Sequence, residues 1–214
     1  MNGRKLHDRL YLGLGLSARH IGQSADAFRP KGPFRPLDKQ NRFLRLPATF
    51  VSAKGNDGRT NVYGEVLWHG IFDASYTRPG DYLVLETGIY FVASQVPLLP
   101  VLCVGTNRTI SVARPNMQTG TATNSYGGYT SNSSLTLMEG WPASVLGENK
   151  SSAPVVNLPA DQTVPYWNVL VPAPAGITLS PGDLINDDLG RTAVIAGSEL
   201  TDLGWRLSAK MATT

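Results

Sequence analysis

The segment Gly13-Leu14-Gly15-Leu16-Ser17-Ala18 fits the pattern G-x-G-x-x-A, in which glycines let a backbone approach the pyrophosphate of a dinucleotide. That chemistry needs a strand before the glycines, a βαβ unit around them and an acidic residue further on. Here the leader before Gly13 is too short and a proline-rich stretch follows, so the expected role is close packing of a helix against its neighbour, with no cofactor. Three histidines, His7, His20 and His69, are too scattered to build a zinc site, and the single cysteine, Cys103, has no cysteine to share one with. Within VPLLPVLCVG the thiol is expected to fill a strand interior. His69, Asp73 and Ser75 have the residue types of a nucleophile set, yet no G-x-S-x-G or equivalent turn presents a serine to a base. Asp183, Asp187 and Asp188 offer oxygen ligands to a cation, but D-D-L-G is also how a polar hairpin turn is written, and no metal is expected. The sequons at Asn107, Asn132 and Asn149 stand without a secretory signal, because MNGRKLHDRLYLGLG lacks an apolar core; synthesis in the cytoplasm is expected. Trp68, Trp141, Trp167 and Trp205 lie in or beside apolar runs, where wide side chains ordinarily build core and interfaces. No acid–base pair has usable spacing, and the chain is expected not to be an enzyme.

The elements that would position these residues are β-strands. With 22 glycines and 15 prolines among 214 residues, long helices are largely excluded, and a charged fraction of 16% beside a hydrophobic fraction of 42% is not the composition of a disordered chain. No apolar run approaches the roughly 20 residues that cross a bilayer, so no membrane is expected. From residue 46 onward, short apolar runs alternate with turn signals: ATFVS, EVLWHGIF, DYLVLE, IYFVAS, VLCVG, TISVA, SLTLM, WNVLV, DLI, AVIA and WRLSA. Their length and β-branched or aromatic content predict a mainly β fold of sandwich or barrel modules. Residues 46–116 read as a first β module, 117–134 as a polar loop and 135–214 as a second module, which could pack with the first as one domain.

Residues 1–45 differ from this body. They carry ten basic side chains against three acidic, and the remainder carries nine against thirteen. Leu6, Leu10, Leu14 and Ala18, followed by Ile21, predict a short amphipathic helix over about 4–20 that needs a surface to lie on. FRPKGPFRP (28–36) cannot be helical, and 22–45 is expected to be an extended arm. A basic leader on an acidic body suits docking onto another copy, with Leu6, Leu10, Leu14, Arg29, Arg35, Arg42 and Arg45 at the contact. Nucleic acid is the less favoured partner, because no basic stripe interleaved with aromatics appears.

An internal repeat is the most informative feature. Pro79-Gly80-Asp81, then Gly88 and Val92, match Pro181-Gly182-Asp183, then Gly190 and Val194, at a constant spacing, and LPATFV (46–51) resembles WPASVL (141–146). Each PGD copy predicts a tight turn whose aspartate bonds local backbone, then a strand, a second turn and a returning strand.

The leader LYLGLGLSARHIGQSADAFRPKGP, the segment TRPGDYLVLETGIYFVASQVPLLPVLCVGTNRTISVARP and the ending GITLSPGDLINDDLGRTAVIAGSELTDLGWRLSA resemble structural proteins of tailed bacteriophages, more narrowly the β-rich neck, collar and tail-attachment proteins. The resemblance implies a virion component made in the host bacterial cytoplasm and assembled with other copies of itself as a ring of six- or twelve-fold symmetry. Portal or connector proteins, tail-tube or sheath proteins and packaged DNA would lie nearby. A tail-tip or baseplate binding module and a capsid decoration protein are the alternatives. The resemblance is one of style across about half the chain, and it brings no family site residues with it.

Overall fold

The computed structural model describes residues 3–53, 66–115, 134–148 and 166–212. A helix, α1 (Gly3–Ile21), is followed by twelve strands: β1 (Gln23–Phe28), β2 (Arg42–Ser52), β3 (Leu67–Ile71), β4 (Tyr82–Leu85), β5 (Gly88–Ser94), β6 (Val101–Gly105), β7 (Arg108–Pro115), β8 (Ser134–Glu148), β9 (Tyr166–Val171), β10 (Leu184–Asp187), β11 (Thr192–Thr201) and β12 (Gly204–Met211). They form two closed antiparallel barrels. The first runs β1-β2-β3-β6-β5-β4 and closes on β1, and the second runs β7-β8-β9-β12-β11-β10 and closes on β7. Closure leaves neither barrel a free edge at which foreign strands could pair.

The second barrel repeats the first strand for strand, and in register except that the β7–β8 ladder slips twice around Val112 where the β1–β2 ladder slips once. Ser24 opposite Pro47 matches Thr109 opposite Pro142. Ser52 opposite Trp68 matches Gly147 opposite Trp167, and Trp68 opposite Cys103 matches Trp167 opposite Ala209. Even the bulge recurs, between Val92 and Ser94 in one barrel and between Ile195 and Gly197 in the other. Both PGD segments enter β-hairpins, as the repeat predicts, and LPATFV and WPASVL fall on the equivalent strands β2 and β8. One detail differs. The returning strand is displaced by a residue, because Gly80 N–H donates to Val92 O whereas Gly182 N–H donates to Ile195 O, so Ile195 and not Val194 stands for Val92.

The module boundaries also move. β1 lies inside the segment expected to be an arm, with Ala25, Ala27 and Phe28 buried, and β7 belongs to the second barrel although it precedes residue 116. The polar segment 117–134 lies outside the described residues except for Ser134, the first residue of β8. Of the arm, only residues 29–41 lie between strands. They strap the first barrel to the second: Arg35 N–H donates to Glu139 O, Glu139 N–H to Pro33 O, and Trp141 Nε1–H to Pro33 O at 2.6 Å. Arg35 takes a left-handed φ of 48° at this crossing, and the buried Asn41 side chain holds the turn by donating to the carbonyls of Arg35 and Pro36.

Two apolar clusters follow from strand alternation. Ala25, Ala27, Leu46, Ala48, Leu83, Leu85, Val92, Val101 and Cys103 fill the first barrel. The side chains that alternate with them on β4–β6, among them Tyr82, Phe91 and Val104, join the cluster that fills the second barrel around Trp141, Val169, Ile185 and Leu207. The second core and the barrel junction are therefore one continuous apolar body. Tyr82 marks the seam, its hydroxyl donating to Pro142 O at 2.8 Å and its ring meeting Trp141 edge-on.

α1 lies on the first barrel through Tyr11, Leu14, Gly15 and Ala18. A four-residue spacing drifts about 40° per step on a helix of 3.6 residues per turn, so of the expected stripe only Leu14 and Ala18 reach the contact. Leu6 and Leu10 remain exposed. A Cβ at Gly15 would come within 2.9 Å of Asp73 Cβ, so this glycine of the G-x-G-x-x-A pattern serves close packing, as expected. Removing residues 1–21 is expected to leave a chain that unfolds cooperatively at a reduced Tm. Removing residues 1–30 takes out β1 and opens the first barrel, and is expected to abolish the cooperative transition. Thermal melts of the two truncations followed by circular dichroism check this.

Candidate functional site

The two PGD turns are built alike, from an arginine upward. In the first, Arg29, just after β1, grips the buried Asp81 carboxylate with two bonds, Nε to Oδ1 at 2.9 Å and Nη2 to Oδ2 at 2.7 Å, and donates also to Tyr76 O. The same carboxylate accepts from the amide of Arg78, which tightens the turn around Pro79 and Gly80. In the second, Arg114 near the end of β7 grips Asp183 at 2.7 and 2.8 Å and donates to Thr178 O, and Asp183 accepts from the amide of Ser180. Gly80 and Gly182 have φ of +91° and +94°, a conformation that costs glycine little and other residues more. The bond to the carboxylate raises the basicity of both arginines, against a smaller opposing effect of burial. These pairs are fork-to-carboxylate contacts, the strongest class of side-chain hydrogen bond.

The other carboxylates proposed for chemistry are committed too. Asp187 accepts from the amides of Leu189 and Arg191 and from Arg191 Nε, and although burial pushes its carboxyl upward, these bonds outweigh that and hold it below its ordinary value. Asp188 faces Arg108 at 4.0 Å, so Asp183, Asp187 and Asp188 answer to three different arginines. Among the described residues no three His, Cys, Asp or Glu side chains are grouped to hold a metal. Asp73 caps the turn Ala74–Tyr76 by accepting from Ser75 N–H. Cys103 is buried in β6, where desolvation drives its thiol pKa far up and keeps it protonated.

The arginines expected to reach another copy are paired within their own chain. Arg29 holds Asp81, Arg42 and Arg45 both meet Asp26 across the β1–β2 ladder, and Arg35 approaches Glu139 of β8 at 3.8 Å. The Arg45 hydrogen bond is the main reason that the Asp26 carboxyl lies below its usual value. These four arginines of the basic segment therefore pair with acidic groups of their own barrels. Sequence reasoning missed Arg114, whose signal was its position at the end of the run TISVARP, matching Arg29 at the end of SADAFR. It also missed Asn107, which hooks the two-residue linker between barrels onto β8 by exchanging two hydrogen bonds of 2.8 Å with the Val145 backbone.

Two concave surfaces flank the junction. One is a cleft lined by Arg29, Lys31, Arg78, Gly80 and Trp141 against the proline wall Pro172–Pro174. The other is an open groove of about 900 Å³ lined by Trp68, Tyr90, Thr106, Asn107, Ser144 and Leu146. In it Tyr90 stacks on Phe50 at 3.8 Å and meets Trp68 edge-on at 6.0 Å. Of the four tryptophans, Trp141, Trp167 and Trp205 build the second core as expected, and Trp68 faces this groove.

Replacing Asp81 or Asp183 by Asn leaves a guanidinium without its counter-charge and is expected to cost on the order of 3 kcal/mol each, read as a shift of the urea midpoint. Asp187 has its folded-state pKa below the ordinary 3.8, so its stabilisation is complete above that pH and lost as pH falls through the lower folded value. An acid titration of Asp187→Asn should consequently converge on wild type at low pH and diverge from it at neutral pH. No protein-family model, curated protein or solved structure matches the chain, and its function has to be reasoned from these surfaces.

Proposed function

We propose that the chain is a non-enzymatic structural component of a phage virion, forming a homo-oligomeric ring in the neck or collar that joins the head connector to the tail. The observation that carries this reading is the use of the charged side chains. Asp183 and Asp187, which sequence chemistry singled out as ligands, are spent on bracing a barrel seam and turns, and the two barrels joined by strap, linker and shared core form one stiff block. Such a block suits mechanical joining, in which complementary surfaces are multiplied by symmetry and individually weak contacts give a durable assembly. The resemblance of the leader and of both PGD segments to neck and tail-attachment proteins supplies the location.

A second reading is favoured by one specific observation. Trp68 and Tyr90 offer an aromatic wall, and Thr106, Asn107 and Ser144 offer polar groups, in a groove at the upper end of the volume usual for ligand sites. A tail-tip or baseplate module that binds glycan would be built this way. Mass photometry of the purified chain is expected to show a discrete oligomer of several copies. A chain that stays monomeric, together with saturable quenching of tryptophan fluorescence by bacterial surface glycans that Trp68→Ala removes, would transfer the assignment to the binding module.

A further inference from the structure

Three cations left unpaired after the arginine staples lie on α1, and they frame an apolar surface. Leu12 and Leu16 are 57% and 48% exposed. At 3.6 residues per turn they fall, with Lys5, Arg9 and Arg19, within about a quarter of the helix circumference, opposite the stripe that packs on the first barrel. No ion pair within the chain engages these three cations among the described residues, in contrast to Arg29, Arg35, Arg42 and Arg45. This face thus combines two leucines one turn apart with a rim that is basic apart from Asp8, one turn before Leu12.

The same chain carries a surface of opposite charge. β11 and β12 continue beyond the bulge at Gly197 to a turn at Asp202 and Leu203, with β12 still paired to β9 as far as Trp205. Its tip exposes Leu200 (59%) and Leu203 (38%) beside Glu199 and Asp202, with Arg206 opposite Glu199 across the ladder. The tip is rigid. Thr201 Oγ1 donates to Gly204 O and accepts from Leu203 N–H, and Gly204, at φ +115°, lies so close to the end of β9 that a Cβ would come within 2.6 Å of Val171 O. An exposed, preorganised pair of leucines with acidic neighbours needs a partner that is apolar and basic, and carries little ordering cost on binding.

We infer that the hairpin tip Glu199–Gly204 of one copy docks on the outer face of α1 of the next, Leu200 and Leu203 against Leu12 and Leu16, with Glu199 and Asp202 toward Lys5, Arg9 and Arg19. The contact joins two different surfaces, so it propagates from copy to copy and closes where the rotation allows a ring. It replaces the arginine contact expected from the sequence, and it rests on the reading of the chain as self-assembling. A basic leucine-bearing helix is also the pattern that adsorbs to anionic lipid, but the complementary acidic tip on the same rigid chain favours a second copy.

Charge reversal tests it on the full chain. Glu199→Lys with Asp202→Lys, and separately Lys5→Glu with Arg9→Glu and Arg19→Glu, should each weaken assembly about tenfold or more, because like charges then face each other. Mixing the two variants should restore assembly, since each tip then meets an opposite helix, a gain that misfolded protein cannot give. Variants with one added cysteine, Leu16→Cys and Leu203→Cys, should cross-link when mixed and not alone, the buried Cys103 staying silent. Assembly unchanged in both charge variants would overturn this contact and leave the ring reading standing. A wild-type chain monomeric at all concentrations would remove both. Binding to phosphatidylserine vesicles, lost in the helix variant while assembly persists, would assign the helix face to lipid and also overturn the contact.

Discussion

Each barrel depends on a guanidinium held by a buried carboxylate at the place where the sheet closes. A barrel exists only if its first strand finds its last neighbour, and here that ladder is short: three residue pairs join β1 to β4 and four join β7 to β10. Backbone bonds alone would make this seam the natural place to open. Arg29 and Arg114 extend it past the end of the ladder, gripping the aspartate at the base of the PGD turn, which in turn fixes the turn that launches β4 or β10. The aspartate therefore serves closure and turn geometry together, and its burial is tolerable only because three hydrogen bonds satisfy its carboxylate in each barrel.

The junction between barrels follows from the same economy. A closed barrel presents mainly side chains to its surroundings, so the second barrel is held chiefly by shape and hydrophobic contact, the backbone of β8 at Glu139 being the place where the strap adds a short parallel pairing. Tyr82 and Trp141 supply the contact, Asn107 stiffens a linker only two residues long, and the proline strap crosses from one barrel to the backbone of β8. These three connections leave from different sides, which removes the hinge that a single linker would allow.

How much of this could be seen in the sequence depended on side-chain size. The runs from ATFVS to WRLSA are apolar and branched, and all lie on strands; the PGD pair was legible because turn chemistry demands glycine and an aspartate at fixed places. β1 was not. QSADAF places Ala25 and Ala27 inward and Ser24 and Asp26 outward, an alternation whose apolar members are too small to register as a core run. The prolines that follow reveal extended backbone but not its destination, so a strap onto the chain's own second barrel looked like an arm reaching for another copy. The arginine partners were illegible for a related reason: Asp81 lies 52 residues from Arg29, and only closure of the barrel brings them together. The groove beside Trp68 left no signal, because its wall is assembled from four strands of two barrels and the linker between them.

The two barrels are alike in backbone and unlike in surface. The outward side chains of β4–β6 that meet the second barrel include Tyr82, Val84, Ile89, Phe91, Leu102 and Val104. Their counterparts in the second barrel are Leu184, Asn186, Thr192, Val194, Ser208 and Lys210, a set that water accepts. A third barrel could not be appended by the junction that holds the first two. Nor are the halves interchangeable parts: the first barrel on its own would present its greasy flank to solvent, whereas the second carries a flank already finished for exposure.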